Sequence, residues 1–392
     1  MNFLILLLSS AISIVCGQDR VITAKLNPGC AECTSANTLV YIKADSSKDS
    51  IHQLWDFTGG IPTVVFALTE LNSTMQVKWD RQVPVKFLLS ETPKYCFAIA
   101  IDKLYEYNDV EDKGHISPQC EQRPMSLKYM SWTLVDSVLS DKEVMVRVHG
   151  QYKHSWRAGV VDVKLDLIPF YDYAAELPRL IHTANSTLVD VGLVNITTSK
   201  DYNSSRFALH MLLVSTDGWG ETMHYTMRKS LDDEHTPGVF EIIEIKTPES
   251  YVKDDGGYIQ FRPVGYTEPK REVSSSTSVR VSPLKKSAVP ERSTLERFFR
   301  DFETESLLVQ DVFVSIGLTG DQFYRQHNFT SWSFTMGYGS PPLETFSLFV
   351  IMIISIGLGV PLLLALSGVV YVVISRIRQR NSNQPTRFTD EE

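Results

Sequence analysis

Residues 161–167 read Val-Asp-Val-Lys-Leu-Asp-Leu, an unbroken alternation of apolar and charged side chains. Successive side chains of a β-strand point to opposite faces of a sheet, so this stretch predicts a strand with one buried and one solvated face. Comparable runs lie at residues 39–44, 64–68, 95–101, 144–148, 207–214, 239–245, 258–266 and 309–316. Clusters of Gly, Pro, Asn and Asp separate these runs. The sequence therefore predicts an all-β domain of β-sandwich type, either one large sandwich or two packed sandwiches.

Two segments of this region depart from the alternation. Residues 294–304 weakly favour a helix. Residues 268–293 are rich in Ser, Lys, Arg, Glu and Pro and contain few apolar side chains to compensate for the entropy lost on ordering. We therefore predict a long mobile loop at 268–293, inside one fold rather than between two domains.

The N-terminus has the composition of a signal peptide. Residues 4–8 are apolar without interruption, and Val15 and Gly17 are small enough for the recognition pockets of signal peptidase. This pattern predicts a signal peptide at residues 1–17, cleaved after Gly17.

The C-terminal region has the composition of a membrane span. No charged residue occurs between Glu344 and Arg376, and about 20 apolar residues suffice for a helix to cross a bilayer. Three arginines follow between positions 376 and 380, and such an excess marks the cytosolic side. We predict a lumenal domain at 18–344, a transmembrane helix at 345–375 and a cytosolic tail at 376–392.

Acceptor sequences for N-glycosylation agree with this topology. Asn-x-Ser/Thr sequons occur only in the predicted lumenal part, at Asn72, Asn185, Asn195, Asn203 and Asn328. The formal net charge of −8 offers no basic surface for nucleic acid.

The mature chain keeps four cysteines, Cys30, Cys33, Cys96 and Cys120, because Cys16 leaves with the signal peptide. In an oxidising lumen we expect two disulfides, for which three pairings are possible. The spacing of Cys30 and Cys33 also occurs in thiol oxidoreductases and in half-sites for zinc. Pro28-Gly29 before the pair indicates a turn, and a second such pair is absent, so we favour structural disulfides.

Residues with catalytic potential are few. The sequence contains no nucleophile elbow, no zinc-protease motif and no phosphate-binding loop. His149 and His154 make a weak metal pair. The run Asp232-Asp233-Glu234-His235 could hold a cation or act in acid–base chemistry, but a solvated turn is the favoured interpretation. We expect no enzyme activity, no cofactor and no metal.

Small residues line one face of the predicted membrane helix. Gly357, Pro361 and Ala365 recur at four-residue spacing, and Gly368 follows three positions later. Such a face lets a second helix approach closely, although Gly and Pro are also common in membrane helices generally.

Several short segments carry a resemblance to a known family. They are Arg-Leu-Ile-His-Thr-Ala-Asn at 179–185, residues 230–240, Phe-Arg-Pro-Val-Gly-Tyr at 261–266, Gln326-His327, Ser-Trp-Ser at 331–333 and Gly-Ser-Pro-Pro at 339–342. In this order they resemble the glycosylated lysosomal membrane protein family.

The resemblance implies a heavily glycosylated type I protein of the lysosomal membrane. It also implies an accessory subunit that binds a major-facilitator transporter exporting dipeptides and shields it from lumenal proteases. The family supplies no catalytic residues. The tail at 376–392 lacks the tyrosine-based sorting signal of mammalian members, so delivery to the lysosome would depend on the partner.

Two other functions remain open from the residues alone. The chain could be a membrane-tethered lumenal hydrolase whose site contains Asp232 to His235. It could also be the ectodomain of a cell-surface receptor or adhesion protein, although a short tail without signalling motifs argues against signal transduction.

Overall fold

The computed structural model describes residues 20–152, 157–230, 236–344 and 348–382. The predicted signal peptide, His154 and the run 232–235 lie outside these residues, as does the tail beyond residue 382. The chain divides after Pro342 into two compact units, a β-rich domain and a C-terminal helical segment.

The β-rich domain consists mainly of antiparallel strands. In chain order the strands are β1 (Val21–Leu26), β2 (Leu39–Asp45), β3 (Asp49–Asp56), β4 (Thr63–Glu70), β5 (Met75–Asp80), β6 (Val83–Leu89), β7 (Tyr95–Asn108), β8 (Gln122–Ser126), β9 (Met130–Leu139), β10 (Val144–Tyr152), β11 (Val160–Leu167), β12 (Asp172–Tyr173), β13 (Ile181–His182), β14 (Ser186–Val194), β15 (Ser205–Ser215), β16 (His224–Lys229), β17 (Glu241–Lys246), β18 (Gly257–Phe261), β19 (Val264–Tyr266), β20 (Ser276–Val281), β21 (Lys285–Lys286), β22 (Leu308–Ile316) and β23 (Phe329–Tyr338). The described helices are α1 (Pro248–Lys253), α2 (Thr294–Phe299), α3 (Tyr324–His327) and α4 (Leu348–Ser382).

The strands form two sheets that share one strand. The first sheet runs β1–β2–β3–β4–β7–β15–β22, with β8 beside the second half of β7 and β21 beside β22. The second runs β9–β10–β11–β14–β23–β18–β17–β16, with β19 also on β23. β20 pairs with β19 at its start and with β22 at its end, so it passes from one sheet to the other. The predicted all-β sandwich is confirmed, as one large, nearly closed structure.

The main core lies between the two sheets and follows the alternation of the strands. Val161, Val163 and Leu165 of β11 are at most 1% exposed, whereas Asp162 and Lys164 point to the other face. Each inward-facing apolar side chain contributes to one continuous cluster that draws on both sheets. Burial of about 25 cal/mol per Å² of apolar surface is the main force that holds such a sandwich together.

A second apolar layer covers the outer face of the first sheet. Leu54, Val65 and Ala98 face this layer and are almost completely buried. The β5–β6 hairpin and α2 close it from outside, with Phe87 and Phe298 packed together. α2 starts where the Ser293 hydroxyl accepts a hydrogen bond from the Glu296 amide (3.1 Å), the usual N-cap contact. The helix predicted at 294–304 is therefore shorter than expected.

The predicted mobile loop at 268–293 is wrong, because this segment contains β20 and β21. Alternate side chains of β20 are buried, but one of them is a threonine, Thr277, whose hydroxyl donates to the Asp321 carboxylate. A hydroxyl that is buried through a hydrogen bond gives no apolar signal in the sequence. The run 258–266 is also interrupted, since Pro263 separates β18 from β19 and has no N–H for a sheet ladder.

Candidate functional site

Cys30 and Cys33 form a disulfide in the loop between β1 and β2. This loop packs on the turn of the β5–β6 hairpin, where the Trp79 indole N–H donates to the Pro28 carbonyl oxygen (2.9 Å) and the Gln82 side-chain amide donates to Glu32 (2.9 Å). Neither cysteine lies at the start of a helix, which a thiol oxidoreductase motif would require. The geometry agrees with a structural bridge.

The expected second disulfide is absent from the structure, in which Cys96 and Cys120 are free thiols. Cys96 is fully buried near the start of β7 and faces the outer apolar layer. Cys120 precedes β8, whose residue Gln122 pairs with Tyr107 near the other end of β7. Eleven residues of strand separate Cys96 from Tyr107, about 35 Å at roughly 3.3 Å per residue. A disulfide needs Cα atoms within about 7 Å, so the predicted bridge is wrong.

Three of the five sequons meet at one end of the sandwich. Asn195 follows β14 and Asn328 precedes β23. The backbone N–H of Asn195 donates to the backbone carbonyl oxygen of Asn328 (2.7 Å). Asn203 lies next to Tyr202, whose carbonyl oxygen accepts a hydrogen bond from Arg325 (2.8 Å), three residues before Asn328. All three asparagines are exposed. Sugars on them would share one end of the domain.

The other two sequons lie towards the opposite end. Asn72 is exposed in the turn between β4 and β5, with a φ of 66°. Asn185 precedes β14 and is half-buried, because its Oδ1 accepts a hydrogen bond from Nε of the buried Arg20 (2.5 Å). This contact uses the amide oxygen, whereas N-glycosylation modifies the amide nitrogen. The structure thus leaves the reactive atom of Asn185 out of this bond.

The chain leaves the sandwich beside β16, β17 and β18. The Pro342 carbonyl oxygen accepts hydrogen bonds from Arg228 of β16 and Gln260 of β18, both at 3.1 Å. The same two side chains donate to the buried Glu244 of β17, each at 3.0 Å. These hydrogen bonds fix the position of Pro342, the last residue of the β-rich domain.

β16 forms an exposed edge of the second sheet. Within the described part of the chain it pairs only with β17. Tyr225 and Met227 are 51% and 58% exposed, and the nearby Phe240 is 53% exposed. An edge strand with free backbone groups and exposed apolar side chains is suited to pairing or packing with another chain.

The C-terminal helix α4 is long and apolar enough to cross a membrane. Its candidate span, Phe349–Gln379, has a mean hydropathy of 2.7 and is not buried. The predicted packing face of Gly357, Pro361, Ala365 and Gly368 is exposed along the helix. Pro361 lies inside the helix and has no N–H for the carbonyl of Gly357, one turn earlier. Within the described residues, a Cβ added at Gly357 or Gly368 would meet no atom within 4 Å beyond the adjacent helix backbone.

The candidate catalytic and metal residues receive little structural support. Nε2 of His149 lies 3.5 Å from Oδ1 of Asp162. The two residues are opposite each other on β10 and β11, on the face of the sheet that points away from the core. In the described ranges, 20–152, 157–230, 236–344 and 348–382, no three His, Cys, Asp or Glu side chains are arranged to hold a metal ion. His154 and Asp232 to His235 lie outside these ranges, so the structure does not place them.

Comparison with known proteins identifies the family. The family model described as "Glycosylated lysosomal membrane protein" matches residues 38–379. Glycosylated lysosomal membrane protein B of Xenopus laevis is 28% identical over 94% of both chains. The proteins of that name from Danio rerio and Homo sapiens are each 25% identical, over 93% and 84% of this chain and 92% and 82% of their own. The match spans both the sandwich and α4, so the chain belongs to the glycosylated lysosomal membrane protein family.

Proposed function

We propose that this protein is a non-enzymatic accessory subunit of the lysosomal membrane, with its sandwich domain in the lumen. In this role it binds a major-facilitator transporter of dipeptides, stabilises it and shields it from proteolysis. The family's name supports the location. The grouping of Asn195, Asn203 and Asn328 at one end of the sandwich is the observation that carries the shielding role.

These three sites lie far from the point where the chain leaves the sandwich. Asn328 precedes β23, and β23 ends at Tyr338, close to Pro342. Nine residue steps separate the two ends of this strand, about 30 Å at roughly 3.3 Å per residue. Sugars at the far end would screen lumenal proteases without covering the strands beside Pro342.

The edge strand β16 is the surface that we assign to the partner. No sequon lies between residues 206 and 327, which include β16, β17 and β18. The exposed Tyr225 and Met227 lie on β16, the strand that holds Pro342 through Arg228. Sugars on the five sequons would therefore leave this edge free to contact lumenal loops of a membrane-embedded partner.

The membrane helix supplies the second proposed contact. Small residues at Gly357, Pro361, Ala365 and Gly368 would let a transporter helix pack closely. Two linked contacts reinforce each other, because formation of the first raises the effective concentration of the second.

Co-purification from cells tests both contacts. We expect Gly357→Leu with Gly368→Leu to reduce recovery of the transporter and to shorten its lifetime in the lysosome. Gly359→Leu is the control, because two residues turn a helix by about 200° and this variant places a leucine on the opposite face. For the sheet edge we expect Tyr225→Glu with Met227→Glu to reduce recovery, whereas Tyr129→Glu, at a residue that is also exposed, should not.

The results also separate the two contacts. Full recovery of the transporter with both double variants would contradict the proposed interface. If the unmodified protein does not co-purify with a transporter, the accessory role itself is contradicted. Glycosylation and delivery of each variant are checked first, so that misfolding is not mistaken for loss of binding.

A further inference from the structure

A cavity of about 260 Å³ lies on the outer face of the second sheet, away from the core. Outward-facing residues of β11, β14 and β23 line it on one side, and the segment that contains β12 and β13 lines the other. Drug-sized ligands occupy sites of roughly 300–1,000 Å³, so a smaller molecule fits this one.

One wall of the cavity is held by Arg271, from the loop between β19 and β20. Its guanidinium donates to Asp190 of β14, to the Leu177 carbonyl oxygen (2.8 Å) and to the Ser333 hydroxyl (2.9 Å). Ser333 in turn donates to Asp190 (2.9 Å). The charges of Arg271 and Asp190 are therefore paired. Through its hydrogen bond to Leu177, Arg271 also holds the segment that contains β12 and β13 against the sheet.

Asp166 lines the same cavity, and its carboxylate is not fully hydrogen-bonded within the described residues. Its residue is 8% exposed, and in the described structure its Oδ1 has no hydrogen-bond donor. Its Oδ2 lies 3.4 Å from Nζ of Lys164. Burial raises the pKa of Asp166, an effect that Lys164 opposes and Glu143 reinforces. A buried carboxylate that lacks a hydrogen-bond donor is costly, and a cation held in the cavity would lower that cost through its charge.

The remaining lining sets the charge and the shape of that ligand. Besides the Arg271–Asp190 pair, the cavity has three carboxylates, of Glu143, Asp166 and Glu176, against the single ammonium of Lys164. This excess of negative charge favours a cation over an anion. Apolar side chains complete the lining, among them Ile168 and Leu180.

We propose that this cavity binds a small primary amine with an apolar group, the ammonium pairing with the carboxylate of Asp166 and the apolar group packing against Ile168 and Leu180. This site is separate from both surfaces assigned to the transporter. It adds recognition of a small molecule to the accessory role and does not depend on it.

Isothermal titration of the purified full-length protein tests the site, with 3-methylbutylamine as the probe near neutral pH. The alcohol 3-methylbutan-1-ol has the same shape without the charge, and we expect it to bind about tenfold more weakly or less. Asp166→Asn should weaken binding of the amine by about tenfold or more. Asp162→Asn is the matched control, since Asp162 lies on the same face of β11 outside the cavity, and it should bind the amine as the unmodified protein does.

Folding is checked separately through the melting temperature. Asp166→Asn should not lower it, because the change keeps the shape of the side chain and removes a buried charge without a full partner. Failure of the unmodified protein to bind the amine would overturn the proposal. So would equal binding of the amine and the alcohol, or unchanged binding by Asp166→Asn.

Discussion

Arg206 is a single residue that ties together two loops. It is 3% exposed and pairs with the carboxylates of Asp109 (2.9 Å), Asp112 (2.5 Å) and Asp321 (2.6 Å). Its guanidinium also lies over the ring of Phe323. Asp109 and Asp112 come from the loop after β7, whereas Asp321 comes from the loop after β22, so no local pattern could have indicated the whole cluster. A buried arginine of this kind is detectable only once the fold has brought its partners together.

His52 makes a testable contribution to pH dependence. Its ring nitrogens are hydrogen-bonded to the Tyr41 hydroxyl (2.8 Å) and the Thr69 hydroxyl (3.0 Å). Burial, aided by Lys43, lowers the pKa of His52 from 6.5 to about 4. The unfolded chain therefore binds more protons between these two values, and the stability present above pH 6.5 is lost as the pH falls towards 4.

We therefore expect His52→Gln to flatten the pH dependence of unfolding. At about 1.4 kcal/mol per pKa unit, the unmodified domain should lose about 2 kcal/mol more than the variant between neutral pH and pH ~5. Denaturant unfolding at the two pH values measures this difference. Parallel losses in both proteins would show that His52 does not titrate in this range.

The thiols should differ sharply in reactivity. Burial raises the pKa of the Cys96 thiol, whereas Cys120 is half-buried and its Sγ lies 3.3 Å from the Ser117 hydroxyl. We expect an alkylating reagent to modify Cys120 in the native protein, Cys96 only after denaturation, and Cys30 and Cys33 only after reduction of their disulfide. Mass spectrometry of the peptides gives the order. A bridge between Cys96 and Cys120 in those spectra would contradict the structure.

Among the secondary structure elements, the predicted strands were those whose apolar residues alternate with charged ones or follow each other without interruption. β11 and β10 alternate cleanly because one side of each faces water. β23 was missed, although it lies in the middle of the second sheet. Its inward residues Trp332, Phe334 and Met336 alternate with Ser and Thr, and these short hydroxyl side chains are equally common in loops.

The helix α2 is short, but it should contribute strongly to stability through Phe298. This side chain is 7% exposed and packs against Phe87 and Phe299, with ring centroids 6.1 and 5.1 Å away. We expect Phe298→Ala to lower the free energy of unfolding by about 3–5 kcal/mol, because it leaves a cavity in the outer apolar layer. Arg300→Ala, at an exposed position just after α2, is the control and should change little. Denaturant unfolding compares the two, and equal losses would mean that the layer is not a true core.

For the whole molecule, the sequence was sufficient for the class of fold and for the presence of one C-terminal helix that is apolar enough to span a membrane. The candidate sites required the structure, because their residues come from distant segments. Asp166, Leu180 and Arg271 line one cavity from β11, from the covering segment before β14 and from the loop after β19. No spacing in the sequence connects them.

The topology of the whole chain gives one further prediction. Removal of N-glycans should lower the apparent mass, and Asn→Gln at each sequon should remove one step of that change. An epitope after Glu392 should be reached by antibody only when the cytosolic side has been opened. Gel mobility and immunostaining are the measurements. An unchanged mass after glycosidase treatment would contradict the lumenal assignment.

β23 is the last strand of the domain to be synthesised, yet it lies between β14 and β18 in the second sheet. Because a chain is made from its N-terminus, this sheet stays in two parts until the residues just before the membrane helix exist. The third residues of two sequons, Thr187 and Thr330, are buried in β14 and β23. A glycosyltransferase could not reach them once these strands had paired. The late arrival of β23 would therefore delay the burial of Thr330 and keep the acceptor sequence at Asn328 accessible until the end of the domain has been made.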